Sequence, residues 1–175
     1  MPKAVRHILF VMLTIGLPFP GKLSAQYKIV ESMQALNAAY LELGGNSDTY
    51  SVNYERLLFQ RAAFKTGLRI GVGSNLFFLP EEDNTYPIIP LEAIGLIGHR
   101  NRHFEFGLGY TRRLTDNPDL LQEMYFGRLG FRYHPPEGGL LVRVALTPFV
   151  SSETNVRTPG LALVPRFGLS VGRSF

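Results

Sequence analysis

The sequence predicts an all-β fold: an eight-stranded antiparallel up-and-down transmembrane β-barrel preceded by a cleavable signal peptide. Three observations carry the expectation. Nearly everything after residue 38 alternates apolar residues with polar residues or glycine. The connections between the alternating segments sort by length. The first 25 residues have the layout of an export signal.

The N-terminus comes first. Lys3, Arg6 and His7 are basic, residues 8–17 form a mostly apolar stretch, and Pro18 and Pro20 break it. Leu23-Ser24-Ala25 then precedes Gln26, so the pattern predicts a secretory signal over residues 1–25, cleaved after about Ala25. Leu23 is larger than a small-x-small site prefers, which leaves the cleavage point open. The apolar run is too short to span a bilayer as a helix. Residues 26–37 do not alternate and read as a periplasmic lead-in or a short helix.

The barrel is expected over residues 38–175, with strands at about 38–45, 48–59, 64–73, 86–98, 102–112, 123–134, 139–149 and 164–175. Successive strand side chains point to opposite faces, so period-two alternation gives each strand one apolar and one polar face. Leu41 and Leu43 oppose Tyr40, Glu42 and Gly44. Leu68, Ile70 and Val72 oppose Gly67, Arg69, Gly71 and Gly73. Phe104, Phe106, Leu108 and Tyr110 oppose Glu105, Gly107 and Gly109. Leu140, Val142, Val144 and Leu146 oppose Arg143 and Ala145. Residues 86–98 are apolar on both parities, and only Glu92 marks an inward face there.

Odd-numbered joins (45–47, 74–85, 113–122, 150–163) are long apart from the first. Even-numbered joins (60–63, 99–101, 135–138) are all short. Outer-membrane barrels have short periplasmic turns and longer outside loops. The last strand ends on Phe175, with Phe167, Leu169 and Val171 at the same parity. This terminus resembles the signal by which barrel-assembly machinery recognises its clients. In pattern, residues 38–175 resemble the small OmpA/OmpX-type outer-membrane barrels of Gram-negative bacteria. The resemblance implies an outer-membrane location, lipid around the wall, and the assembly machinery as a partner during biogenesis.

Such a barrel must be polar within. Eight strands leave an interior just wide enough for side chains to fill, which accounts for the inward glycines. The inward parity collects Glu42, Glu55, Glu92 and Glu105 against Lys65, Arg69, Arg128, Arg132, Arg143 and Arg166. A buried unpaired charge is costly, so these residues are expected to form a salt-bridge network closing the lumen. A gate or ion path is the functional alternative. Tyr40, Tyr54, Phe59, Phe64, Tyr110, Phe126, Tyr133 and Phe149 lie near strand ends and are candidates for interfacial girdles or for ordinary packing.

No catalytic constellation stands out. After signal removal the histidines are His99, His103 and His134, all at predicted periplasmic turns or strand ends. His99 and His103 flank Arg100-Asn101-Arg102, whose charges oppose a cation. Glu81, Glu82 and Asp83 form an acidic loop tip that reads as a solvated charge run rather than a Ca²⁺ site. Ser151, Ser152, Glu153 and Thr154 have no histidine beside them. The chain has no cysteine, which removes disulfides, thiolate metal sites, cysteine nucleophiles and lipid modification at an N-terminal cysteine. A net charge of +4 without a basic block argues against nucleic acid. No cofactor or metal is expected.

The functional expectation is a structural or interaction barrel presenting outer loops. Phe77, Phe78 and Leu79, and Leu120 and Leu121, are the contact candidates for an envelope protein partner or the outer leaflet. A lipid-modifying enzyme, a narrow channel and a soluble lipocalin-like barrel are the alternatives. The last needs the apolar face inside.

Overall fold

The computed structural model describes residues 32–75, 85–116, 120–151 and 162–175. The signal peptide, the Phe77, Phe78 and Leu79 loop, the acidic tip and Ser152, Glu153 and Thr154 lie outside the described residues. Within them the chain forms β1 (Asn37–Gly44), β2 (Tyr50–Arg61), β3 (Phe64–Ser74), β4 (Pro87–His99), β5 (Arg102–Arg113), β6 (Glu123–Tyr133), β7 (Gly139–Leu146), β8 (Phe149–Ser151), β9 (Ala162–Val164) and β10 (Phe167–Ser174).

These ten segments make eight antiparallel staves. β7 and β8 are one stave interrupted at Thr147-Pro148, and β9 and β10 are another interrupted at Pro165-Arg166. Proline has no N–H to give the ladder, so the pairing breaks there. The ladder continues across both gaps, because Gly127 N–H donates to the Pro148 carbonyl and Thr147 N–H to the Arg166 carbonyl. Neighbouring staves pair in sequence order, β1 pairs with β10, and β5–β6 completes the ring. No edge is left open, and every ladder partner lies within the sheet.

The register fixes the barrel's geometry. A row of paired residues starting at Ala39 runs through Tyr54, Ile70, Leu91, Tyr110, Tyr125 and Val150 to Leu163. In the other direction Ala39 pairs directly with Arg173. Leu163 and Arg173 share a stave and stand ten positions apart, so the shear of the barrel is ten. Strands in such a barrel tilt by roughly 35–45°. Rows that leave β1 near one end therefore reach the other end after one circuit.

One end carries the short turns, residues 32–36 and Phe175; it is called here the turn end. The opposite, loop end carries residues 45–49 and the connections to β4, β6 and β9. At the turn end, Ala62 and Arg100 occupy two-residue hairpins with φ of 52° each. Residues 32–36 are neither helix nor free tail. Met33 N–H donates to the Gln60 amide oxygen (2.7 Å), Gln34 and Ala35 N–H donate to the Pro136 carbonyl, and Met33 packs with Leu57, Ile94 and Leu96. The segment lies across the turn end.

The two faces of the wall are inverted relative to a water-soluble barrel. Leu108 is 76% exposed, Phe131 72% and Phe167 75%, and Val144 and Leu169 are also exposed, while Arg128 and Arg143 are buried. On β4 the ambiguity of the sequence resolves: Ile88, Glu92, Ile94 and Leu96 are buried, and Leu91, Ala93 and Ile97 face out. A soluble ligand-holding barrel requires the opposite arrangement. Phe167, Leu169, Val171 and Phe175 all face outward.

The aromatic residues near strand ends divide between the two alternatives by facing. Tyr40, Phe126 and Phe149 are buried inside the barrel, because their strand parity is inward despite their places near strand ends. Tyr54, Phe59, Phe64 and Tyr133 do face outward.

Candidate functional site

The centre of the barrel is a closed lattice of four carboxylates and four guanidiniums. β1 brings Glu42, β2 Glu55, β3 Arg69, β4 Glu92, β5 Glu105, β6 Arg128 and Arg132, and β7 Arg143. Arg69 donates to Glu55 (2.8 Å), Glu105 (2.8 Å) and Glu92. Arg128 donates to Glu42 (2.8 Å) and Glu92 (2.7 Å). Arg132 donates to Glu105 (2.8 Å) and Glu55. Arg143 donates to Glu42 (2.6 Å), Glu105 (3.2 Å) and the Ser170 hydroxyl (2.8 Å). The Tyr40 ring lies under Arg143, with the guanidinium carbon 4.7 Å from the ring centroid.

Every carboxylate therefore meets at least two arginines, and the eight charges cancel. Desolvating an ion costs several kcal/mol, and only good geometry with further hydrogen bonds offsets it. Planar guanidiniums suit such bridging because each presents five donors in a fixed fork. Glycine makes the room. A Cβ at Gly107 would sit 2.5 Å from Glu92 Oε1, and one at Gly168 would sit 2.6 Å from Glu42 Oε1.

Apolar layers lie above and below the lattice. Met33, Leu57, Ile94 and Leu96 cluster towards the turn end, and Met124, Phe126 and Phe149 towards the loop end. Leu121, a candidate loop contact residue, is half-buried like Leu120 and packs against the second cluster. Its backbone carbonyl accepts from Arg113 (2.6 Å).

Two cations of the expected network belong elsewhere. Arg166 has inward parity, but the shear sets it a layer nearer the loop end. There it donates to Asp48 (2.9 Å) and the Ser47 carbonyl (2.7 Å) and lies over the Phe149 ring. Lys65 is buried at the turn end, where its ammonium reaches the Gly98 carbonyl (3.4 Å) and no carboxylate among the described residues.

Arg166 is part of a second cluster that sequence reading missed. Asp48, in the β1–β2 turn, accepts from Arg113 Nε (2.7 Å), Arg166 and the Tyr86 hydroxyl (3.1 Å). Burial pushes the Asp48 carboxyl up, but the hydrogen bond and charge of Arg113, then those of Arg166, outweigh it and hold the group below its ordinary 3.8. Arg113 shares odd parity with Glu105 on β5, a signal that was readable once the strand was extended by one residue. Nothing in the sequence marks Asp48.

The histidines separate. His99 is exposed at its turn, whereas His103 and His134 turn into the barrel at the turn end with ring centroids 6.4 Å apart. The ring nitrogens of His103 have no hydrogen-bond partner among the described residues. Burial, followed by the Arg132 charge, pushes His134 down to about 4, so it is neutral at pH 7. The positive neighbours Lys65 and Arg132 disfavour a bound cation there.

On the outer wall the turn end is basic. Arg56, Arg61, Arg100, Arg102 and Arg173 are all exposed, and none forms an ion pair with a described residue. Near the loop end, the outward Arg112 is paired with Glu123.

Compared with protein-family models, with curated proteins and with solved structures, the chain matches none.

Proposed function

We propose that the protein is an integral outer-membrane β-barrel of the small OmpA/OmpX type, with a lumen closed by its own charges. In this reading it works as a structural element or interaction platform that presents its loop end outward. What carries the reading is the inversion of the wall: large apolar side chains stand exposed around the circumference, and eight ionised groups pair at its centre. In hydrocarbon every backbone donor and acceptor must be satisfied within the protein, which a closed barrel achieves. The apolar exterior then loses nothing by contact with acyl chains. The shear of ten on eight staves leaves space that side chains fill, and the lattice fills it.

In this reading the turns lie in the periplasm and the loops outside, an orientation that short turns at one end and longer connections at the other support. The outward row Phe167, Leu169, Val171 and Phe175 serves as the assembly signal. The N-terminal 25 residues direct export. A partner protein in the envelope meets the loop end, where Phe77, Phe78 and Leu79 supply apolar contact.

Fractionation tests the location. The protein is expected in the outer-membrane fraction, released by detergent and not by salt wash or alkaline carbonate; release by salt alone would sink the reading. Reconstitution in planar bilayers tests the closed lumen. No steady conductance is expected, and a persistent open pore would refute closure while leaving the membrane location intact.

A further inference from the structure

Two kinds of glycine occupy the wall. The inward ones make room for the lattice. The outward ones do not face it: Gly95 seats the Phe106 ring, and Gly127 has open space before it. On the face formed by β2 to β6, three outward positions are small: Ala93, Gly95 and Gly127. They stand among Leu58, Leu68, Leu91, Phe106, Leu108 and Leu129, so the wall is furrowed there instead of smooth.

The furrows are two and adjoin each other. One, of about 730 Å³, runs from Arg56 and Leu58 past Ala93 and Leu91 to Tyr110 and Tyr125 near the loop end. The other, of about 680 Å³, crosses Gly95 and Phe106 to Gly127. Both are bordered by Leu58, Leu68, Ala93 and Leu108. The ring of Phe106 lies over Gly95, where a Cβ would meet it at 2.3 Å, and it stacks on Phe64 at 6.3 Å. Gly127 is open, with Pro148 Cγ at 4.0 Å as the nearest atom to a Cβ placed there.

Arg56 is the polar feature at the turn-end mouth of the first furrow. It pairs in register with Asn37, the first residue of β1, and with Leu68. Its side chain is exposed, and no carboxylate among the described residues pairs with it. A charge facing hydrocarbon is destabilising, by an amount that falls towards the interface, where a long side chain can reach polar headgroups. The ligand that satisfies both features carries an anion at one end and two apolar chains at the other.

We infer that this face is a binding site for an anionic diacyl glycerophospholipid, its phosphate on Arg56 and its acyl chains in the two furrows. The inference rests on the membrane reading above and adds a site to it. A second copy of the chain fits less well. A two-fold axis through this face sets β2 of one copy against β6 of the other, whose outward Tyr125, Leu129 and Phe131 offer Arg56 no anion and whose Glu123 is already held by Arg112.

The test uses full-length mature protein, delipidated in mild detergent and titrated with phosphatidylglycerol or phosphatidylcholine of identical chains, with bound lipid read by native mass spectrometry. Wild type should retain phosphatidylglycerol over phosphatidylcholine by about fivefold, the ratio that corresponds to the ~1 kcal/mol of one basic residue at an anionic surface. Arg56→Gln should abolish the preference but keep weak retention of both lipids. Gly127→Leu and Ala93→Leu, which fill the furrows from outside without touching the lumen, should lower retention of both. Heat-modifiable migration on gels verifies that each variant is folded. Equal retention of the two lipids by wild type, or furrow-filled variants that retain lipid like wild type, would overturn the site. So would a dimer that excludes lipid and dissociates on Ala93→Leu. A wild-type protein that stays monodisperse without detergent would overturn the membrane reading itself, a result separable from the others.

Discussion

The central lattice and the Asp48 cluster use the same two chemical groups in opposite ways. The lattice sets four carboxylates against four guanidiniums, all with side chains no more than 1% exposed. The Asp48 cluster sets one carboxylate between two arginines, and Arg166 there is 24% exposed. The first is closed and neutral, so no member can leave without stranding its partners. The second is smaller and nearer the mouth, where Arg166 is partly open to solvent and salt. Burial and stoichiometry, more than the number of ion pairs, separate a structural core from an adjustable rim.

The comparison breaks most visibly at Glu105, which meets Arg69, Arg132 and Arg143. Glu105→Gln removes one charge with little change of shape and is expected to cost about 3–5 kcal/mol, the usual penalty for breaking a buried pair. Urea unfolding from lipid vesicles measures it, and raised salt should change the wild-type result little.

Gly107→Ala probes the room around the lattice. The added Cβ crowds Glu92 Oε1 at 2.5 Å and the Ala93 carbonyl at 3.0 Å, so overpacking should cost about 1–3 kcal/mol. Gly127→Ala, on the outer wall, should be near neutral in the same assay. Equal costs at the two glycines would contradict the distinction between inner and outer faces.

At the rim, Asp48→Asn should cost about 1–2 kcal/mol, in the range of a hydrogen bond to a charged group discounted for partial exposure. Its pH dependence has a definite sign. The folded carboxyl titrates below 3.8, so its contribution is fully present above that pH and is lost as pH falls through the folded value. Wild type and Asp48→Asn should therefore differ at pH 7 and converge in strong acid. A difference that grew on acidification would contradict the assignment.

The smallest effect is expected in a hairpin. Ala62 holds a left-handed φ of 52°, a conformation costly for any residue with a Cβ. Ala62→Gly should stabilise the barrel by about 1 kcal/mol, read as a shifted unfolding midpoint.

Parity made the lattice legible. Seven of its eight members alternate with apolar residues on strands whose faces are unambiguous, and Glu92 alone marks the inward face of β4. Parity says nothing of height along the barrel axis, which depends on register and shear. Arg166 and Lys65 were therefore grouped with charges a layer away. The aromatic candidates divide by facing: nearness to a strand end leaves girdle and packing open, and inward parity puts Tyr40, Phe126 and Phe149 in the packing class. Pro148 and Pro165 are plain in the sequence, yet alternation carries the expected strands 139–149 and 164–175 through both, whereas the ladder breaks at each. Asp48 was hidden because a single aspartate in a turn looks like any turn residue. Its meaning comes from Arg113 and Arg166, 65 and 118 positions away along the chain.

The most direct test of the whole account exploits the absence of cysteine from the chain. Single cysteines placed by Leu108→Cys, Phe131→Cys and Ser170→Cys, spin-labelled in the protein reconstituted into vesicles, report whether each site meets lipid. The account predicts that labels at positions 108 and 131 collide readily with dissolved oxygen and poorly with a water-soluble nickel complex, while Ser170→Cys resists labelling. Ready access of the nickel complex to both outer positions would contradict it.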